Sequence, residues 1–203
     1  MKISTRTDLG YHTIELVNIP LYTTAQKRTF DAIGNHLGGS SGRIAVPAWS
    51  MDSAPYASGN EEPLVQATHQ DGSLFSDGAS YEQGAISIVS HGITALGATA
   101  MSMRIINAAA DLSGLRFSYN HALYTTGQAL SVDGDIWTLS ITPSIRQVIP
   151  HGAELEFDRP TCVARLVEDN AMKRSINVNR LDAVSVTFEE DTDYWYRLAK
   201  GLI

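Results

Sequence analysis

The chain has little of what most metal, redox and membrane chemistries need. It carries one cysteine, Cys162, in 203 residues. A single thiol excludes an internal disulfide and a zinc site built on several cysteines. No apolar stretch approaches the roughly 18 to 20 residues that cross a bilayer, so no membrane insertion is expected. The opening Met1-Lys2-Ile3-Ser4-Thr5-Arg6 alternates polar with apolar residues and has no apolar h-region. No secretory signal is expected, and the chain reads as one made in the cytosol. Positive charge is scarce: 15 Lys and Arg stand against 22 Asp and Glu, for a net charge of -7. That balance argues against a broad phosphate-gripping surface and a specific nucleic-acid partner. Internal repeats and low-complexity tracts are missing too. What is present is 43% hydrophobic and 18% charged residues, enough to bury a core and to exclude general disorder.

The pattern along the chain is mainly β. Ile3 to Leu21 mixes β-branched and apolar residues and reads as one or two strands, with a turn near Asp8-Leu9-Gly10 and an end at Pro20. A helix over residues 23–37 follows. Thr23 and Gln26 fit a capping box, Phe30, Ile33 and Leu37 make one apolar stripe, and Gly38-Gly39 suits a left-handed C-cap. Gly42 to Trp49 reads as a short strand stopped by Pro47. Residues 50–80 are rich in Ser, Asp, Gly and Pro, with turn signals at Asp71-Gly72 and Asp77-Gly78. A segment of that length without a clear pattern points to a functional or partner-held arm.

Strand signals return at Ala85. Met101 and Met103, Phe117, Trp137 with Leu139 and Ile141, and Leu155 with Phe157 alternate with polar residues, and Asp133-Gly134-Asp135 and His151-Gly152 mark turns. These describe a small antiparallel barrel or sandwich at residues 96–158. Strands are expected again at Thr161 to Val167, Arg174 to Val178 and Ala183 to Phe188. Thr192 to Leu202 then forms a short amphipathic helix, capped by Asp191 or Thr192, whose aromatics need a covering surface from the parent domain or a neighbour.

Catalytic and metal chemistry find no anchor in the pattern. The six histidines are scattered without the spacing that brings two rings to one metal, and the acidic turns lack a calcium-loop signature. Gly38-Gly39-Ser40-Ser41-Gly42 lacks the Lys-Ser/Thr ending of a P-loop and follows a helix, so it reads as a helix-to-strand turn. Cys162 sits in an apolar strand pattern and reads as buried and structural. Carboxylate pairs for glycoside hydrolysis can be drawn from Glu154, Glu156 and Glu189, or from Glu190, Asp191 and Asp193. No metal, cofactor or catalytic residue is assigned, and no enzymatic activity is expected.

Several blocks, in order, resemble the minor tail or distal-tail-region proteins of long-tailed bacteriophages and their prophage relatives. They are the helix with Gly42-Arg43-Ile44-Ala45-Val46-Pro47, then Leu74-Phe75-Ser76-Asp77-Gly78-Ala79-Ser80-Tyr81. Next come Leu115-Arg116-Phe117-Ser118 with His121-Ala122-Leu123-Tyr124, and Trp137 to Arg146. The last are Glu156 to Leu166 and Val184 to Glu190. The resemblance implies a β-sandwich or split-barrel domain built from both chain ends (1–95 and 159–203), with one packed helix and a small antiparallel β-barrel (96–158) inserted. It implies a virion tail tip, with copies of the chain in a ring that joins the tail tube to the hub and to fibres or receptor-binding proteins. A hexamer would match the tube and a trimer the hub. The family has no cofactor and no reaction of its own.

Arms and sheet margins suit such head-to-tail contacts. The expected inter-subunit contacts are Tyr56, Leu64, Val65, Leu74, Phe75 and Tyr81 on the arm and Tyr194 and Trp195 in the tail, unless the arm folds back on its own domain. The alternative is a carbohydrate- or receptor-binding module presenting Trp137, Tyr119 and Tyr124 from the inserted barrel, or a hydrolase of surface polysaccharide.

Overall fold

The computed structural model describes residues 10–48, 54–63, 65–67, 81–173 and 182–203. The expected Asp8-Leu9 part of the first turn, the Arg174 to Val178 strand, Trp49, and the arm residues Leu64, Leu74 and Phe75 lie outside them.

Two antiparallel sheets dominate. The first has four strands in the order β1 (Thr13–Leu21), β11 (Asp182–Glu190), β10 (Thr161–Leu166), β2 (Ile44–Pro47). Both chain ends contribute to it, as expected. Along β11 Val184, Val186 and Phe188 turn inward while Ser185 and Thr187 face out. Helix α1 (Thr24–Leu37) covers the inner face with Phe30, Ile33 and Leu37. Its capping box is complete: Gln26 N donates to Thr23 Oγ1 at 3.1 Å, and Thr23 N donates to Gln26 Oε1 at 2.9 Å. Gly38 closes it in the left-handed region at φ 58°. Gly34 costs helix propensity, yet a Cβ there would stand 3.1 Å from Met172 Cβ, so close packing explains it.

Pro20 does not end β1. It pairs with Ala183 inside the strand. β1 is a margin strand, where a missing N–H on the outer side breaks no ladder bond. A register shift between Leu16 and Ile19, with Asn18 at φ 55°, bends the strand just before it.

The second sheet runs β5 (Ser87–Ser90), β6 (Ala100–Asn107), β9 (Ile136–Thr142), β8 (Ala122–Asp133), β7 (Arg116–Tyr119). Its two margins meet a common partner. Glu154 bridges Val89 on β5, and Glu156 bridges Ser118 on β7. Leu155 N donates to Ile88 O at 3.0 Å, and Ser118 N and Glu156 O close the other side at 2.9 Å. The segment around Leu155 therefore shuts the sheet into a small barrel. Leu155 and Phe157 point inward, and Phe157 stacks on Phe117 at 5.0 Å.

This barrel begins before residue 96. Ala85, Ile86 and Ile88 belong to its core, and so does Tyr56. The closing segment needs β5 as a partner, which is why the boundary moves toward the N-terminus. The β7–β8 hairpin turns on Asn120 and His121, both at positive φ (47° and 64°), as a two-residue type I′ turn requires.

The expected irregular arm contains a ribbon. β3 (Val65–Ala67) pairs antiparallel with β4 (Tyr81–Gln83), and among the described residues this two-stranded sheet joins neither of the others. Helix α2 (Thr192–Ala199) starts at Asp191, whose side chain accepts from Tyr194 N. No helix among the described residues is long and apolar enough to cross a membrane.

Candidate assembly surface

The two sheets differ in what they leave open. The barrel satisfies both of its margins through the segment around Leu155. In the first sheet, β1 and β2 each have one neighbour among the described residues and present an unpaired side. β2 is four residues long and ends at Pro47, a poor template. β1 is nine residues long, and its Thr13–Leu16 half keeps regular register. Tyr11 (58%), Val17 (59%) and Tyr22 (60%) are exposed before, along and after it. The sequence reading missed these three. The signal was present: Thr13 and Glu15 mark the outward positions of the strand, and Tyr11 and Val17 continue that alternation.

The expected contact residues divide. Tyr56 is buried at 4% exposure, its hydroxyl donates to Asp158, and Ala109 N donates to the Pro55 carbonyl. This stretch of the arm folds back on the barrel, so the Tyr56 ring is covered within the chain. Trp195 is likewise buried at 3% against the barrel core, with Tyr194 packed beside it. The chain itself thus covers Trp195 and packs Tyr194 beside it, while Tyr196 of the same helix, Leu202 and Ile203 stay exposed. Val65 and Tyr81 lie on the β3–β4 ribbon, the latter opposite Ala67.

The joint between the sheets is polar and buried. Glu190 accepts from Arg146 Nε at 3.0 Å, and Asp191 accepts from Arg43 Nε. Ala48, Leu123 and Cys162 form a small apolar cluster beside it. Burial pushes the Cys162 thiol up to about 12, which disfavours the reactive thiolate. Glu190 and Asp191 are thus both engaged by arginines at this joint.

Other chemistry is thinly spread. Among the described residues no three His, Cys, Asp or Glu side chains converge as metal ligands. His91 and His151 do meet, edge to face at 5.7 Å, a pairing that their sequence spacing hides. His151 Nδ1 already accepts from Gly92 N at 2.9 Å. Gly38-Gly39-Ser40-Ser41-Gly42 also satisfies the letters G-x-S-x-G, which the sequence reading overlooked. A nucleophile elbow needs a strand-to-helix turn; here the order is helix to strand. Ser40 Oγ donates to Asp169 Oδ1 at 2.6 Å, and this bond, with Ser40 N, holds the Asp169 carboxyl below its usual range. The adjoining groove of about 900 Å³ is lined by no histidine. Glu154 and Glu156 are exposed and line a second cleft with Tyr119, His121 and Arg159. No family model matches the chain, and no curated protein matches it.

Proposed function

We propose that this chain is a structural part of a larger assembly and turns over no substrate. More particularly, it is a tail-tip component of a long-tailed bacteriophage, the distal tail protein, forming a ring between tail tube and hub and carrying fibres or receptor-binding proteins. One observation supports this reading most. The barrel closes on itself, whereas the four-stranded sheet keeps an exposed margin at β1 flanked by Tyr11, Val17 and Tyr22. Unpaired backbone groups beside apolar side chains suit a neighbour's strand, and repeated head-to-tail contact of that kind closes rings. The ordered sequence blocks supply the phage-tail part of the reading.

The carbohydrate-binding alternative is less well served. Tyr124 is fully buried and Trp137 is half-buried against the core, which leaves Tyr119 alone at a cleft. Stacking on a sugar ring needs an exposed aromatic face. Labelled protein located in intact virions tests the proposal: six-fold or three-fold density at the end of the tail tube supports it, and absence from the particle overturns it.

A further inference from the structure

Glu190 ends β11 where the open sheet, the barrel and the start of β1 meet. Its carboxylate is wholly buried. Oε1 accepts from Arg146 Nε at 3.0 Å, and Oε2 accepts from the His12 backbone N–H at 3.1 Å. Arg146 also donates to the Gly10 carbonyl, and its backbone N–H donates to the Tyr124 hydroxyl at 2.9 Å. One carboxylate thus gathers the residues before β1, the end of β11 and the loop after β9.

The His12 ring lies in the same joint. It hydrogen-bonds the backbone of Leu123 on β8, while its Nε2 is buried with no partner among the described residues. The charged groups facing it are Glu190 from β11, Arg146 from the loop after β9 and Arg116 from β7, with Glu15 lining the adjoining cleft. Tyr124 and Cys162 border the Glu190–Arg146 pair. A neutral imidazole fits this place, with one N–H used and one lone pair idle. A protonated ring would bury a second N–H at Nε2, where no acceptor stands within hydrogen-bond reach among the described residues. Two guanidinium groups would repel it. Attraction to Glu190 opposes this, but desolvation is the larger effect and holds the imidazole below its ordinary 6.5.

We propose that His12 is an acid-sensitive pin between the open sheet and the barrel: neutral, it holds the start of β1 against β8 and β11; protonated, it leaves, and the start of β1 detaches while the barrel stays closed. The detached ring takes up a proton more readily than the docked one. The pin therefore holds fully above the free-imidazole value of 6.5 and weakens as the pH falls below it.

Amide hydrogen exchange tests this, read as protection factors between about pH 7.5 and about pH 5, the span over which a histidine titrates. The reporter is the Glu190 amide, which donates to His12 O; the references are the Leu155 and Ile141 amides of the barrel. Wild-type protein loses Glu190 protection on acidification and keeps protection at the references. His12→Gln removes that pH dependence. Arg116→Gln, at an exposed position, leaves the fold intact and shrinks the loss, because the docked ring then protonates more easily. Unchanged Glu190 protection, an equal loss in wild type and in Arg116→Gln, or simultaneous loss at Leu155 and Ile141 overturns the proposal.

Discussion

The barrel and the four-stranded sheet solve the same problem in opposite ways. Each must bury one face and satisfy its margins. The barrel does both internally: Phe117, Tyr124, Leu139 and Phe157 fill it, and the segment around Leu155 bridges β5 to β7. The sheet buries one face under α1, and among the described residues β1 and β2 each have a partner on one side only. Its β1 margin carries two guards, the bulge at Asn18 and Pro20, but both lie in the second half of the strand. A closed unit needs no neighbour, whereas a half-guarded margin has a use for one. On the proposed reading, the difference separates a self-sufficient module from one suited to assembly.

The contrast can be broken first at the barrel. Phe117→Ala removes a fully buried ring stacked on Phe157 and close to Tyr124. It should cost about 4 kcal/mol in urea denaturation; a loss below about 1 kcal/mol would mean the barrel is loosely filled. Cutting the joint comes next. Glu190→Ala strands Arg146, whose side chain is 15% exposed, and should cost about 3 kcal/mol. The cover of the open sheet is sharpened by Thr23→Ala, which deletes the acceptor for Gln26 N and should cost about 1 kcal/mol by the same measurement. The smallest effect lies at the periphery. Ser40→Ala should move the Asp169 carboxyl only part of the way back toward its ordinary 3.8 in an NMR titration, because the Ser40 backbone N–H still donates to it and Lys173 stays beside it. Because that carboxyl is depressed in the folded chain, the contribution of the bond is present above 3.8 and fades as the pH falls through the lowered value.

Local features were legible and long-range partners were not. Thr23, Gln26 and Gly38 announce α1 because caps act within four residues. Alternation marks β6, β9 and β11 for the same reason. Nothing local says that Leu155 and Phe157 sit on a segment joining two margins, so the barrel boundary was drawn too late. Arg146 and Glu190 are 44 residues apart and Tyr56 and Asp158 are 102 apart, distances over which no periodicity speaks. Pro20 misled because proline stops only strands that have neighbours on both sides. Tyr11, Val17 and Tyr22 were overlooked because exposed apolar residues on a strand look like core until the covering helix is placed.

Native mass measurement of the intact chain beside its Val17→Lys variant tests the central claim most directly. The account predicts a closed ring of six or three copies for the wild type, and a folded monomer for the variant with stability within about 0.5 kcal/mol of wild type, as expected for an exposed site. A wild-type chain that stays monomeric at assembly concentrations, or a ring indifferent to a charge placed on the β1 margin, would contradict it.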